Sequence, residues 1–150
     1  MSFFRAMDIA ASGMSVERFQ MDLISGNIAN AGTTKTKDGD PYRRQFAVRS
    51  TIEQPEFSLA GLTGDDEAYA SGVELAGVVK DNSEFKYVWD PDHPNAQKKG
   101  QWKGYVAMPN INIVEEMSNL MLASRAYEAN SSIIEASKNM AMKALDMGRG

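Results

Sequence analysis

His93 is the only histidine in this chain of 150 residues, and it lies in the segment Asp90-Pro91-Asp92-His93-Pro94. Two carboxylates and an imidazole could in principle bind a divalent metal. Metal sites usually draw their ligands from converging elements, whereas two prolines around one histidine favour a rigid surface turn. We therefore predict a turn at this segment and no metal site.

The other residues that could do chemistry lack the partners that chemistry needs. Asp38-Gly39-Asp40 has no Glu at the spacing of an EF-hand calcium loop, so a polar turn is the better interpretation. The serines lack a Gly-x-Ser-x-Gly elbow, and His93 is the only candidate base. Neither a phosphate-binding loop nor a dinucleotide fingerprint occurs. The sequence thus predicts no catalytic residue, no cofactor and no small-molecule substrate, and the protein is not expected to be an enzyme.

Composition narrows the classes of partner. The chain has no cysteine, so a disulfide framework and a thiolate metal site are both excluded. Its net charge is −4, and the whole excess lies in positions 38–109, which hold twelve acidic and eight basic residues. Basic residues cluster only at Arg43-Arg44 and at Lys98-Lys99 with Lys103. Nucleic acid is therefore not an expected partner, whereas a soluble module that binds a metal or a basic ligand through the acidic middle stays open as an alternative.

The two ends of the chain differ from its middle. All five prolines lie between positions 41 and 109, and nine of the ten methionines lie outside that window. Residues 3–28 and 113–147 are free of proline and carry apolar residues at helical spacing, which predicts long helices. Asn112 with Glu115 resembles a capping pair, and Asn30 and Gly148 suit helix ends.

The predicted fold class is α+β, mainly α, with the two terminal helices paired as an antiparallel, coiled-coil-like core. We assign an N-terminal core helix to 3–32, a β-rich insertion to 33–111 and a C-terminal core helix to 112–147. Alternation within the insertion predicts strands over 42–51, 73–79, 85–89 and 105–108, with the second and third forming a hairpin around Asp81-Asn82-Ser83. Residues 58–72 show no period and are expected to form a mobile loop.

The sequence shows neither a membrane-spanning helix nor a secretory signal peptide. No stretch approaches the ~20 apolar residues that a membrane-spanning helix needs. The first eight residues also lack the basic start and apolar run of a secretory signal peptide. We predict no membrane-spanning segment and no cleaved signal peptide.

Two terminal motifs resemble the flagellar rod and hook proteins of bacteria, which form one family of axial proteins. The amino-terminal motif is Ser12-Gly13-Met14-Ser15 followed by Asn27-Ile28-Ala29-Asn30 and Thr33. The carboxy-terminal motif comprises Glu116-Met117, Leu120-Met121, Ser124 to Asn130 and Lys143-Ala144-Leu145. Because the motifs stand at opposite ends, the pair is more specific than either alone.

The middle of the chain resembles a proximal rod member of that family in three motifs, at residues 39–44, 88–94 and 104–110. The short total length fits the same member. Two local departures are present. Gly26 stands where the family commonly has a second Asn beside Asn27, and Gln97 to Lys103 forms an altered loop with Trp102. The resemblance covers nearly the whole chain and is weakest over 51–72.

The resemblance implies a structural subunit of the proximal rod of the flagellar basal body, which polymerises helically through its terminal helices and transmits torque. The implied partners are further copies of the chain, other flagellar rod proteins, the flagellar export apparatus and the membrane-ring base. The implied location is the periplasmic rod, reached through the flagellar type III apparatus without a cleaved signal peptide. Another rod- or hook-type axial subunit stays open as a second possibility.

The apolar faces of the two predicted helices together exceed what one helix pair can cover, so some of these residues are expected to contact neighbouring molecules. Asn27 and Asn130 are predicted to act as polar registers within an apolar seam, with capping or solvent exposure as the alternative. The residues expected to form the assembly interface are Met7, Met14, Met21, Asn27, Ile28, Asn30, Met117, Leu120, Ser124, Arg125, Tyr127, Asn130, Ile134 and Leu145.

Overall fold

A computed structural model describes residues 3–54 and 69–148. Two long helices flank four strands in the order α1 (Phe3–Ala29), β1 (Gln45–Gln54), β2 (Tyr69–Lys80), β3 (Lys86–Trp89), β4 (Tyr105–Met108) and α2 (Ile113–Met147). This arrangement confirms the predicted fold class of α+β, mainly α. Neither helix is apolar enough over its length to cross a membrane.

The helix ends follow the polar signals in the sequence. Asn112 caps α2, because its Oδ1 accepts the Val114 N–H at 3.2 Å. At the end of α1, the backbone N–H and the side-chain amide of Asn30 both donate to the Gly26 carbonyl, at 3.1 and 2.9 Å. The next bond, from the Ala31 N–H to the Ile28 carbonyl at 3.2 Å, spans only three residues, and α1 ends at Ala29 rather than at the predicted position 32.

The strands pair in two separate sheets, β1 with β2 and β3 with β4. The antiparallel β3–β4 register runs from Lys86 opposite Met108 to Trp89 opposite Tyr105. The predicted hairpin between the second and third strands is therefore wrong. Ser83 N–H does bond the Asp81 Oδ1 at 2.8 Å, but the segment connects two sheets instead of reversing within one. Alternation identifies strands, but it carries no information on which strands become neighbours.

Two strand boundaries also differ from the prediction. β1 begins and ends three residues later than predicted, and β2 begins at Tyr69, inside the segment assigned to a mobile loop over 58–72. Residues 58–68 of that loop lie outside the described part of the chain. The glycine-containing end of the segment is extended because it pairs with β1.

The chain divides into two compact units: Met1–Phe19, Val48–Gly77 and Leu122–Gly150 form unit 1, and Gln20–Ala47 and Val78–Met121 form unit 2. Within unit 1, Gly13 in the first part of α1 approaches Asn130 in the later part of α2. Within unit 2, Asn27 near the end of α1 bonds Glu116 near the start of α2.

Candidate assembly interface

Asn27 lies in the last turn of α1 in unit 2 and is buried, with 1% of its surface exposed. Its amide nitrogen donates to the Gln45 carbonyl at 2.8 Å and to Glu116 Oε2 at 3.0 Å. Its amide oxygen accepts the Gln45 N–H at 2.9 Å and the Tyr42 hydroxyl at 3.1 Å. All four hydrogen-bonding positions of the side chain are therefore used within the chain.

The same cluster contains an ion pair whose carboxylate is buried, whereas its guanidinium side chain is 28% exposed. Glu116 is 1% exposed, and its Oε1 lies 2.6 Å from the Arg44 guanidinium. Burial raises the pKa of the Tyr42 hydroxyl, and the negative charge of Glu116 raises it further. We call Asn27, Tyr42, Arg44, Gln45 and Glu116 the polar hub. The hub fixes the end of α1, the start of β1 and the start of α2 in one register, because a slip of any of them would leave buried polar groups without partners.

In unit 1, the adjacent residues Ser12 and Gly13 make two close contacts from α1. The Ser12 hydroxyl donates to the Ile9 carbonyl at 2.8 Å and accepts the N–H of Val73, in β2, at 3.2 Å. A Cβ atom on Gly13 would lie 2.8 Å from Nδ2 of Asn130, so the glycine permits the close approach of α2. This part of the amino-terminal motif thus organises the fold of unit 1.

Six large apolar side chains of α2 in unit 1 remain uncovered, and four of them lie on one side of the helix: Leu122 is 68% exposed, Ile133 47%, Met140 57% and Met147 79%. Their spacings of eleven, seven and seven residues place all four within an arc of about 40° around the helix. Ala123, about 100° away, is only 3% exposed and forms part of the core. We call the four residues the outward stripe, and such a contiguous apolar strip is characteristic of a surface that binds another protein.

The predicted interface residues fall into three groups. Asn27 is buried in the polar hub. Met117, Arg125 and Leu145 are exposed and available for contact with another molecule. The remaining residues are half-buried: Met7, Met14, Met21, Ile28, Asn30, Leu120, Ser124, Tyr127, Asn130 and Ile134. The structure brings Met14, Tyr127 and Ile134 together around one shallow groove of unit 1, and their role in assembly stays a prediction.

Sequence reasoning missed both the outward stripe as a unit and most of the polar hub. Helical spacing revealed two apolar rows on α2, but it could not tell which row faces the same chain. One available signal was Glu116, which stands at helical spacing with Leu120 and Ala123. A carboxylate in line with core residues implies a buried partner, and here that partner is Arg44.

The residues considered for chemistry lie in turns. His93 Nδ1 accepts the Asn95 N–H at 3.1 Å, which engages one of its two ring nitrogens within its own turn. Thr36 and Asp40 close the turn that contains Gly39. Among residues 3–54 and 69–148, no three His, Cys, Asp or Glu side chains are grouped closely enough to hold a metal ion. The part of the chain that the structure describes therefore offers no donor set to the alternative of a metal-binding module.

Two long terminal helices, an inserted β region and an uncovered apolar stripe are features expected of a structural subunit that packs against other protein molecules. A family model described as the C-terminal part of the flagellar basal body rod proteins FlgEFG matches residues 103–147. Similar proteins named flagellar basal-body rod protein FlgC occur in Borreliella burgdorferi, at 41% identity over 100% of both chains, and in Bacillus subtilis, at 34% identity over 99% of this chain and 100% of the relative. A third, from Aquifex aeolicus, is 35% identical over 93% of this chain and 92% of the relative.

Identity at this level over the full length shows that the chain belongs to the FlgC family of flagellar basal-body rod proteins. Proteins of this family are structural and are not known as enzymes.

Proposed function

We propose that this chain is a structural subunit of the proximal rod of the bacterial flagellar basal body, where it polymerises helically through its terminal helices and transmits torque. The observation that carries the proposal is the outward stripe on α2, whose four side chains are 47–79% exposed in the single chain. Membership of the FlgC family supports the location of the subunit in the rod.

Burial of the outward stripe supplies the driving force for assembly. Removing a large apolar side chain from water contributes roughly 1.5–3 kcal/mol when burial is complete, so the four side chains at their observed exposure offer about 4–7.5 kcal/mol for each contact. If the stripe packs against a different surface of the next copy, the contact does not close on itself. Repetition of such a contact builds a helical array.

The proposed partners are further copies of the chain, other flagellar rod proteins, the export apparatus and the membrane-ring base. The proposed location is the periplasmic rod, and the proposed route is export through the flagellar type III apparatus without a cleaved signal peptide. Direct contacts with neighbouring molecules are assigned to the outward stripe and to the exposed residues Met117, Arg125 and Leu145. Asn27 and Asn130 would support assembly indirectly, by keeping α1 and α2 in register.

A pair of matched variants tests the stripe. Met140→Asp places a carboxylate in the stripe, whereas Asn139→Asp places the same charge on the neighbouring exposed residue outside it. Each variant replaces the chromosomal gene, and basal bodies extracted with detergent are probed with an antibody against the chain. We expect Met140→Asp to be lost from the basal bodies and the cells to be non-motile, while Asn139→Asp assembles normally.

Circular dichroism of both purified variants checks that α2 still forms, since a charge on its exposed face should not unfold it. Recovery of Met140→Asp in basal bodies at the wild-type level, in motile cells, would remove the stripe from the assembly mechanism. Absence of the wild-type protein from basal bodies would refute the rod function itself.

A further inference from the structure

One face of the β3–β4 sheet in unit 2 carries an aromatic cluster. The rings of Tyr87 and Trp102 stack with centroids 4.4 Å apart and planes 9° from parallel. Tyr105 packs edge-on against Trp89 at 5.0 Å and against Trp102 at 5.5 Å. Trp89 remains 60% exposed, Trp102 42% and Tyr87 36%. We call these four residues the aromatic face.

The aromatic face is closely packed on one side. Gly104, with a φ of +82°, lies so close to the Trp89 indole that a Cβ atom there would approach Cζ3 to 2.6 Å. The indole is thus held against the backbone on one side, while more than half of its surface remains exposed. Fixed, exposed aromatic rings bind a partner at little entropic cost, and tryptophan and tyrosine are enriched among the residues that dominate protein interfaces.

The loop that carries Trp102 is basic, although the chain as a whole is acidic and Asp90 and Asp92 follow Trp89 in the sequence. Lys98 and Lys103 line an open cavity of about 510 Å³ beside Trp89, and none of the described residues that line it is a carboxylate. Residues 96–105 contain three lysines and no acidic residue. The face therefore suits an apolar partner surface that carries negative charge.

The first turns of α2, also in unit 2, form a surface of that kind. Val114 is 73% exposed, Met117 51% and Met121 62%, and residues 113–121 include two glutamates and no basic residue. Glu116 is buried in the polar hub, which leaves Glu115 as the exposed charge. We call Val114, Glu115, Met117 and Met121 the helix-start patch. Methionine suits contact with rings, because its flexible, polarisable thioether packs favourably against aromatic edges.

We infer that the aromatic face of one copy binds the helix-start patch of a second copy, an inference that rests on the proposed polymerisation. The two surfaces belong to the same unit, and both are exposed in the single chain, so they do not cover each other there. They are opposite in charge and both apolar at the centre, and the proposed contact pairs Lys103 with Glu115 at the rim. A contact between two different patches of identical copies leaves one free patch of each kind, and it therefore propagates along the assembly.

Cysteine cross-linking tests this contact directly, because the natural chain has no cysteine. Gln101, beside Trp102, and Ser118, beside Val114 and Met121 on the helix surface, are exposed and belong to neither patch. The double variant Gln101→Cys/Ser118→Cys replaces the chromosomal gene, and extracted basal bodies are treated with a short bismaleimide. We expect a ladder of multimers of this chain. Each single variant, and the control pair Gln101→Cys/Lys37→Cys, should give no ladder.

A charge exchange provides a second measurement on the cross-linking background. Lys103→Glu should reduce the linked fraction by roughly five- to tenfold, because two carboxylates then face each other at the rim. Addition of Glu115→Lys should restore it fully, whereas Glu115→Gln, which removes the repulsion but forms no ion pair, should restore it only in part. An unchanged linked fraction in Lys103→Glu, or a failure of Glu115→Lys to restore it, would overturn the contact.

The possible results separate this inference from the proposed function. Basal bodies that contain the double variant in motile cells but yield no ladder would overturn the contact and leave the rod function intact. Linkage to a different rod protein instead of a second copy would overturn it as well. Absence of the chain from basal bodies would refute the proposed function and, with it, the contact.

Discussion

Replacement of Asn27 by alanine is the most informative perturbation of the polar hub. The variant removes four hydrogen bonds at a residue that is 1% exposed. It also leaves the Gln45 N–H and carbonyl without their side-chain partner. Alanine is a good helix former, so a loss of stability cannot be attributed to helix propensity.

The expected magnitude follows from these bonds. A neutral hydrogen bond contributes about 0.5–1.5 kcal/mol net, and the bond to the Glu116 carboxylate about 1.5–3 kcal/mol. Part of the loss is recovered because Tyr42 and Gln45 are only half-buried and can reach water. We therefore expect the free energy of unfolding to fall by about 3–5 kcal/mol. Asn27→Asp should cost more at neutral pH, since it places a second carboxylate against Glu116 and removes two donors.

Urea unfolding followed by tryptophan fluorescence measures this loss, because Trp89 and Trp102 are the only tryptophans and both lie in unit 2. Asn139→Ala provides the control, since Asn139 is an exposed asparagine of a terminal helix and its replacement should change stability by less than about 0.5 kcal/mol. If Asn27→Ala unfolds within about 0.5 kcal/mol of the wild type, the hub does not hold unit 2 together and the reasoning fails.

Three further variants probe other features of unit 2. Burial raises the pKa of the Tyr42 hydroxyl, so the stability that Tyr42 contributes is present below the ordinary pKa of about 10 and is lost at higher pH. In urea unfolding between pH 8 and 11, the stability of Tyr42→Phe should therefore depend less on pH than that of the wild type. The Ser83 backbone N–H lowers the pKa of the Asp81 carboxyl, so the stability that Asp81 contributes is present above the ordinary pKa of about 3.9 and is lost as the pH falls further. The urea unfolding midpoints of Asp81→Asn and of the wild type should therefore converge in acid. Gly104→Ala combines a positive φ with a clash against Trp89, and we expect a loss of about 2–4 kcal/mol together with a changed tryptophan emission spectrum.

The terminal helices could be predicted because their signals are local. Proline exclusion and helical spacing depend only on nearby residues, and the cap at Asn112 acts within its own first turn. For the same reason, the strand over Tyr105–Met108 was predicted with its observed bounds. Local sequence patterns therefore predicted whether these segments form a helix or a strand.

The pairing of the strands could not be predicted in the same way. β2 is followed after five residues by β3, and a short connection ordinarily favours a hairpin. The Asp81 N–H instead bonds the Arg44 carbonyl at 2.8 Å, which extends the pairing of β2 with the segment that precedes β1. That choice depends on residues almost forty positions apart in the sequence. No window of local alternation contains this information.

The candidate interface could likewise be predicted only where the signal is local. Asn27 was predicted as a polar register, and the structure places it in a buried cluster with every hydrogen-bonding position occupied within the chain. The partners in that cluster come from the insertion and from α2, so helical spacing in α1 alone could not identify them. The exposed residues of α2 were likewise indistinguishable from its buried ones by hydropathy. Only the position of α1 decides which apolar row is covered.

A consequence for assembly follows from the full occupancy of Asn27. Because its polar capacity is used inside the subunit, Asn27 cannot also select a neighbouring chain through its side chain. The outward stripe cannot supply selectivity alone either, since apolar burial is non-directional and tolerates many registers. Specific docking then requires charges at the edges of apolar surfaces, where a mismatch is costly although a match contributes little. In the proposed contact Lys103 and Glu115 occupy such positions, and for this reason their exchange should alter the specificity of assembly more strongly than the stability of the subunit.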